Sequence, residues 1–489
     1  MVTPQRELAA TWPRLTLRSL PSIKAGVKAP AYDRAKTQIG IVHFGPGAFH
    51  RGHQAWYLDT LLERDPRWAI CGAELRPPGF GAALVPQDCL YVIAELDTKT
   101  RFRVVGSLKE YLSAMDSADR IFSRLSLAQV KLVTLTVTEK GYCLDGAGTL
   151  DFHHPDIIHD LEHPTTPVSA IGWVTEGLAR RKAMGLAPFI AMSCDNVVGN
   201  GHKLRKAVLS FAAARGDKDL LTWIADEVRF PCTMVDSITP AADEAFKQNV
   251  AEAVGLRDDA PVQRESFVQW VIEDILGPEA PDLASVGASL TNDVTAYEQA
   301  KIRLLNGAHS TLAYIGLLWG HGSVGEAVAD LRLGNFVARL MREDIVPSLR
   351  AVRGFDFEAY IAAILQRFRN PALVHRLIQI ASDGSQKLPY RFMGTIADAL
   401  AAGRPIERLV VPVAAWMRFV VREVKTGRPL NDPLAAALAR VGVGCTGESR
   451  IDLPRFLAIS EVFPAELANE LKFTAALGAA YDGLDTLIS

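Results

Sequence analysis

No two of the six cysteines stand in a CxxC spacing. Cys71, Cys89, Cys143, Cys194, Cys232 and Cys445 are scattered along the chain, so neither a disulfide framework nor a thiolate zinc site is indicated, and most read as small buried apolar residues. Long hydrophobic runs are missing too. The longest, TLAYIGLLWG (311–320), is about half of what a bilayer span requires, and the N-terminal MVTPQRELAATWPRLTLRSL has no continuous apolar core of a leader. There is no excess of one charge: 53 Lys and Arg face 55 Asp and Glu, and no block of like sign is long enough to track a phosphate backbone or an anionic bilayer. Nucleic acid and membrane partners are therefore disfavoured, and a cytoplasmic protein is expected. Its partner is expected to be a small molecule, and its oligomeric state stays open. No internal repeat is found. The histidine-rich FHHPDIIHDLEH (152–163) is punctuated by Pro and Asp and reads as a surface loop with a short helix, so no metal is expected there.

What is present fits an enzyme-sized globular chain. At 489 residues it exceeds one ordinary core, at roughly 100–200 residues per domain, and 49% hydrophobic against 22% charged residues is ordinary for soluble proteins. The segment QIGIVHFGPGAFHRGHQAWYLDTLLERDPRWAICGAEL (38–75) reads as strand, glycine turn, helix and strand. Ile39, Ile41, Val42 and Phe44 form the near-continuous apolar run of a parallel strand buried on both faces. A helix is expected from Ala48 to Arg64, and WAICGAEL returns as the second strand of a βαβ unit.

Three later segments, KLVTLTVTEKGY (131–142), APFIAMSCDNV (187–197) and FPCTMVDSITP (230–240), run apolar and then turn polar. In an open parallel sheet, ligands lie beyond the carboxyl ends of the strands. Thr138, Glu139, Lys140, Asp195, Asn196 and Asp236 would then gather on one edge. After about residue 285 the chain reads as successive helices, and the join falls in the Pro- and Gly-containing DILGPEAPDLASVGASLTND (274–293). The expected architecture is an α/β Rossmann-type domain over 1–285 followed by a mainly α-helical domain over 286–489.

Phe44, Gly45, Pro46, Gly47 and Ala48 place two glycines where strand hands over to helix, so that backbone amides can receive a pyrophosphate. The third glycine of GxGxxG is lacking. Phe49, His50 and Arg51 continue the turn instead, with His50 in its place. Glu74, near the end of the second strand, suits a ribose hydroxyl and favours NAD, whereas Arg76 suits a 2′-phosphate and leaves NADP open.

Alcohol oxidation on zinc needs clustered Cys, His and carboxylate ligands, which the sequence does not offer beside its sheet. A side-chain base is the other route. YEQAKIRLLNGAHS (297–310) supplies two candidates, Tyr297 and Lys301, in a YxxxK spacing. On an α-helical wheel Lys301 shares a stripe with Leu305, Ala308 and Leu312. Glu298 lies one turn earlier, Asn306 and His309 flank the stripe, and Tyr297 remains near. A lysine among leucines loses hydration in its charged form, which lowers its pKa. In short-chain reductases YxxxK lies inside the nucleotide domain; here it lies in the helical half, which favours the lysine.

GPGAFHRGHQA (45–55), TVTEKGY (136–142), MSCDNVVGNGH (192–202), FPCTMVDSITP (230–240), YEQAKIRLLNGAHS (297–310) and ASDGSQKLP (381–389) resemble, in order, the signature segments of the mannitol dehydrogenase family of polyol-specific long-chain dehydrogenases. The resemblance implies metal-independent, NAD-linked interconversion of a secondary alcohol and a ketose. By it, Lys301 is the general base, Asn196 and Asn306 hold the reacting oxygen, and Glu298 gates or relays the proton. His309 and Lys387 would bind substrate oxygens, and the glycine turn and Asp236 would lie along the cofactor.

One departure bears on the substrate. Polyol-oxidising members carry an arginine eight residues before the ASDGSQKLP lysine, where this chain has Gln379. QWVIED (269–274), FPCTMVD and NPALVHRLIQIASDGSQKLPYR (370–391) are more similar to the branch that interconverts D-mannonate and D-fructuronate. Its substrate carries a carboxylate, for which Lys387, Arg391, Arg376 and Lys140 are candidate anchors. The alternatives are mannitol or another polyol, and, outside the enzyme class, a catalytically silent nucleotide-binding sensor.

Overall fold

The computed structural model describes residues 12–351, 355–373 and 375–487. The chain divides into two compact units at Thr295/Ala296. Sequence placed the join at 285/286, but the short strand Ser289–Thr291 still pairs with Gln269–Glu273 and so keeps the first unit running past that point.

The first unit carries strands β1 (Ile39–Phe44), β2 (Ala69–Glu74), β3 (Tyr91–Leu96), β4 (Arg101–Val105), β5 (Leu108–Ser113), β6 (Leu132–Leu135), β7 (Ile190–Ser193), β8 (Thr233–Asp236), β9 (Val262–Glu265), β10 (Gln269–Glu273) and β11 (Ser289–Thr291). Five of them form a parallel sheet in the order β5-β2-β1-β6-β7. Its strands alternate between two cores. Val42 and Phe44 of β1, and Val133 and Leu135 of β6, point into a cluster with Phe122, Trp173 and Phe211. Ile41 and Leu132 point into another with Leu58, Trp68 and Trp270. Burial on both faces is what produces the continuous apolar runs. The chain leaves β1 toward β2 and returns to its other side at β6, so the strand order reverses between β1 and β6. That switch point is where such sheets bind ligands.

The expected edge is only partly formed. β8 does not continue the parallel sheet; it pairs antiparallel with β10 in a separate three-stranded sheet with β11, which puts Asp236 there, opposite Gln269. A four-residue strand reads the same in either setting, so pairing partner is not legible locally. The helix expected over Ala48–Arg64 is also interrupted. It runs as Ala48–Gly52 and Gln54–Leu61, broken at His53 (φ −121°, ψ −91°). Close packing explains the break, since a Cβ at Gly52 would lie 3.1 Å from Val262 Cγ1 and the His53 ring bonds the Gln269 carbonyl at 2.9 Å.

The second unit is helical, as expected. Its first long segment is not one α-helix but Val294–Ala300, a π-helix Lys301–Asn306, and Gly307–Leu318. Two more π segments, Leu340–Ile345 and Pro389–Met393, pack against the first. The long helix Glu407–Lys425 packs on Gly307–Leu318. All six cysteines are buried thiols, and among the described residues no helix is long and apolar enough to cross a membrane.

Candidate active site

The glycine turn is built around one carbonyl. Gly45 O accepts from Gly47 N at 2.6 Å, from Thr136 Oγ1 at 2.7 Å and from the ring of His43 at 3.2 Å. Because a carbonyl only accepts, His43 Nε2 carries the ring proton, and Nδ1 accepts from Thr134 Oγ1 at 2.7 Å. Burial presses the His43 pKa down to about 3, so this ring stays neutral. It stacks on His50 with ring centroids 3.4 Å apart. His43 and Thr136 were not singled out from sequence. The available signal was a histidine inside an otherwise apolar strand, two residues before the turn.

Gly45 has φ +83°, and a Cβ there would fall 2.2 Å from the Thr136 carbonyl oxygen. Gly47 is open: a Cβ would meet nothing nearer than Gly45 O at 3.8 Å. The amides of Gly45 and Gly47 are already spent on chain bonds, to Ala73 O and Gly45 O. Those of Ala48 and Phe49 begin the helix, where no intrahelical acceptor exists, and are the donors left for an anion. His50 and Arg51 differ from expectation: both side chains are 1% exposed and turned inward. The Arg51 guanidinium bonds the Ala260 carbonyl and lies 4.2 Å from the Phe80 ring centroid, so only the backbone of these two residues is available to a cofactor. Phe44, likewise buried, contributes its carbonyl, which accepts from Thr136 N at 2.9 Å.

Beyond the turn lies a cavity of about 620 Å³ lined by Gly45, Gly47, Glu74, Arg76, Thr138 and Lys140, among others. Glu74 accepts from Tyr111 Oη at 2.8 Å, and Tyr111 in turn accepts from Phe80 N at 2.9 Å. The carboxylate lies over Gly79, where a Cβ would come within 1.8 Å of it. An open glycine, free helix-start amides and a fixed carboxylate fit a dinucleotide with its ribose against Glu74. Lys140, a candidate substrate anchor, lines this cavity.

The polar ends of β6 and β7 are joined by Asp195. Its carboxylate accepts from Thr138 N at 2.8 Å, Tyr142 Oη at 2.7 Å and Val137 N at 3.1 Å, which fixes the TVTEKGY loop, while burial pushes its pKa up. Asn200, also not foreseen, ties the Asp195 carbonyl to Thr233 of β8 through its side-chain amide, both at 3.0 Å. Asn196 follows as an exposed residue. One ligand atom each from Cys143 and from His154 and Asp156 of the histidine-rich stretch lies within 4.8 Å of the others, a grouping that could hold a metal ion. Asp156 is nevertheless already bonded to Arg76.

In the second unit Lys301 is 9% exposed and Glu298 7%. A π turn pairs residue i with i+5, and Gly307 N indeed bonds the Ile302 carbonyl. The α-helical wheel therefore misplaces this stretch: the wider turn rotates Asn306 closer to the Lys301 face than an α-helix would. Tyr297 is packed edge-on against Phe355 at 4.9 Å, and burial raises its pKa, the wrong direction for a base.

Arg391, on the third π segment, donates to the Asn306 carbonyl at 3.0 Å and to Ser310 Oγ at 2.7 Å. Among the described residues it has no carboxylate partner, and burial lowers its pKa to about 10. His309 packs on Phe368 at 4.6 Å and has a buried Nε2 with no hydrogen-bond partner. Burial, then His375, Arg367, Arg391 and Lys387, press its pKa well down. Lys387 donates to the Ser382 carbonyl at 2.5 Å, with Asp383 3.9 Å away. Arg376 is exposed at the N-cap position of the helix Leu377–Ile380, with no side-chain cap bond, and among the described residues no hydrogen bond or ion pair joins it to this cluster.

In sequence, the description "Mannitol dehydrogenase Rossmann domain" matches residues 39–284 and "Mannitol dehydrogenase C-terminal domain" residues 293–485. D-mannonate oxidoreductase of Escherichia coli (strain K12) is 41% identical over 468 residues, covering 94% of this chain and 96% of that protein. Pseudomonas fluorescens mannitol 2-dehydrogenase, solved as a ternary complex with NAD and D-mannitol, aligns with TM-score 0.80 and 37% identity over 96% of this chain and 97% of that one. A D-sorbitol dehydrogenase in substrate-free form aligns with TM-score 0.87 and 32% identity, covering 97% and 99%.

Proposed function

The chain belongs to the mannitol dehydrogenase family and is an NAD-binding oxidoreductase acting on CH–OH groups, and on that premise we propose that its reaction is the interconversion of D-mannonate and D-fructuronate. The observation that carries this reading is Arg391. A guanidinium held in a largely buried setting, without a carboxylate partner among the described residues and beside Lys387 and His309, suits an anionic sugar acid better than a neutral polyol. The likeness to D-mannonate oxidoreductase and Gln379 support the same choice.

In the oxidative direction Lys301 takes the hydroxyl proton, and Glu298, one turn earlier on the helix, passes it on. NAD, when bound, supplies the hydride acceptor. Asn306 holds the reacting oxygen as charge develops on it, and the resemblance gives Asn196 the same task. His309 is neutral, so it orients a hydroxyl through one ring nitrogen without adding charge. Arg391 fixes the Asn306 carbonyl and with Lys387 receives the carboxylate. In the reverse direction the protonated lysine donates to the carbonyl oxygen.

An NADH-oxidation screen with fructuronate, tagaturonate, fructose and xylulose tests the reading. Fructuronate is expected to turn over fastest. Rapid fructose reduction with neither uronate accepted would make the enzyme a mannitol 2-dehydrogenase instead.

A further inference from the structure

Arg76 stands two residues past β2, where dinucleotide-binding folds use a basic side chain to accept a 2′-phosphate. In this chain its guanidinium is engaged elsewhere. It forms a short ion pair with Asp156, and the same nitrogen lies 3.5 Å from the Val168 carbonyl. Asp156 comes from the start of the helix Pro155–Glu162, outside the βαβ unit, and its own amide donates to His154 Nδ1 at 3.2 Å. The aspartate side chain is 20% exposed and the arginine 55%, so the carboxylate is the fixed member of the pair and the guanidinium the movable one. Glu74, Arg76, His154 and Asp156 all line the one cavity.

We infer that Asp156 is a cofactor-specificity residue that acts through Arg76. By holding the guanidinium on the far wall, it leaves the Glu74 carboxylate to meet the ribose. A carboxylate accepts from a 2′-hydroxyl and repels a 2′-phosphate, and a released arginine would offset that repulsion with a charge-assisted contact. Preference for NAD over NADP thus rests on two carboxylates. Glu74 reads the hydroxyl; Asp156 withholds the arginine.

The test titrates the full-length protein, without sugar substrate, by calorimetry with adenosine 2′,5′-bisphosphate and with 5′-AMP. Asp156→Asn is expected to tighten the bisphosphate at least about fivefold and to leave 5′-AMP nearly unchanged, with NADPH tightening relative to NADH in parallel. Asp156→Glu, which keeps the charge, should retain the wild-type preference. Adding Arg76→Ala to Asp156→Asn should abolish the gain, and Arg76→Ala alone should bind 5′-AMP as wild type does. An equal shift for both nucleotides, a gain that survives removal of Arg76, or weaker 5′-AMP binding by Arg76→Ala would each overturn the inference.

Discussion

Gly45→Ala and Gly47→Ala, made separately, distinguish a glycine the fold needs from one the ligand needs. At Gly45 the backbone has φ +83°, which costs an alanine about 1–2 kcal/mol. The new Cβ would also sit 2.2 Å from the Thr136 carbonyl oxygen, a backbone atom with no rotamer to give. Relief requires moving the end of β6, which weakens the bonds from Thr136 N to Phe44 O and from Thr136 Oγ1 to Gly45 O, at about 1 kcal/mol each. The expected loss of stability for Gly45→Ala is about 2–4 kcal/mol, read as a lowered urea midpoint with unchanged slope. Gly47 has φ −73° and no neighbour nearer than 3.8 Å to a Cβ, so its replacement should cost only the difference between glycine and alanine at a helix N-cap, about 0.5–1 kcal/mol. Gly47 lines the cavity, and the Ala48 and Phe49 amides follow it directly in the chain. Gly47→Ala should therefore weaken NADH binding at least about tenfold, or ~1.4 kcal/mol, measured by quenching of protein fluorescence. A Gly45→Ala protein as stable as wild type, or a Gly47→Ala protein with wild-type NADH affinity, would refute the placement of the turn.

Two further perturbations bear on the interior of each unit. His43 stays neutral to about pH 3 when folded but protonates near 6.5 when unfolded, so the unfolded chain binds the extra proton and stability falls as pH drops below 6.5. His43 alone should account for about 2 kcal/mol lost by pH 5, and His43→Gln should reduce the slope of unfolding free energy against pH by about one proton; an unchanged slope would show the ring to be solvated. Arg391→Ala should lower kcat/KM for fructuronate by about 1.5–3 kcal/mol, well beyond its effect on a neutral ketose such as fructose, and equal losses on both would remove Arg391 as the carboxylate anchor.

The parts of the fold legible in the sequence were those where burial leaves a pattern. β1 reads clearly because Ile41 enters one core while Val42 and Phe44 enter the other, and the turn is announced by Gly45 and Gly47. What stayed hidden depends on distant partners. The inward turn of His50 and Arg51 follows from Ala260, Phe80 and His43, and a polar residue beside a glycine turn carries no mark of which way it points. β8 looks like its neighbours until β10 is known to pair with it. The π register at Lys301 is equally silent, since the apolar spacing that marks a helix does not record one extra residue per turn. Lys301, Asn306 and His309 stand out in the sequence because their types are unusual among leucines and alanines, and the roles proposed for them come from the family resemblance. His43, Asp195 and Asn200, which hold the two sheet-end loops in place, were recognised for that task only through their hydrogen bonds.

Lys301 is proposed as the proton-transfer group of an NAD-linked sugar-acid oxidoreductase. The most direct test of that role is Lys301→Ala, with NADH affinity measured by fluorescence and both fructuronate reduction and mannonate oxidation measured by steady-state kinetics across pH. Retained NADH binding is expected, with a fall in kcat of about 10²–10⁴-fold; wild-type mannonate oxidation should rise with pH through a single ionisation, and Lys301→Ala should lose it. Wild-type turnover of the true substrate by Lys301→Ala would contradict the proposal.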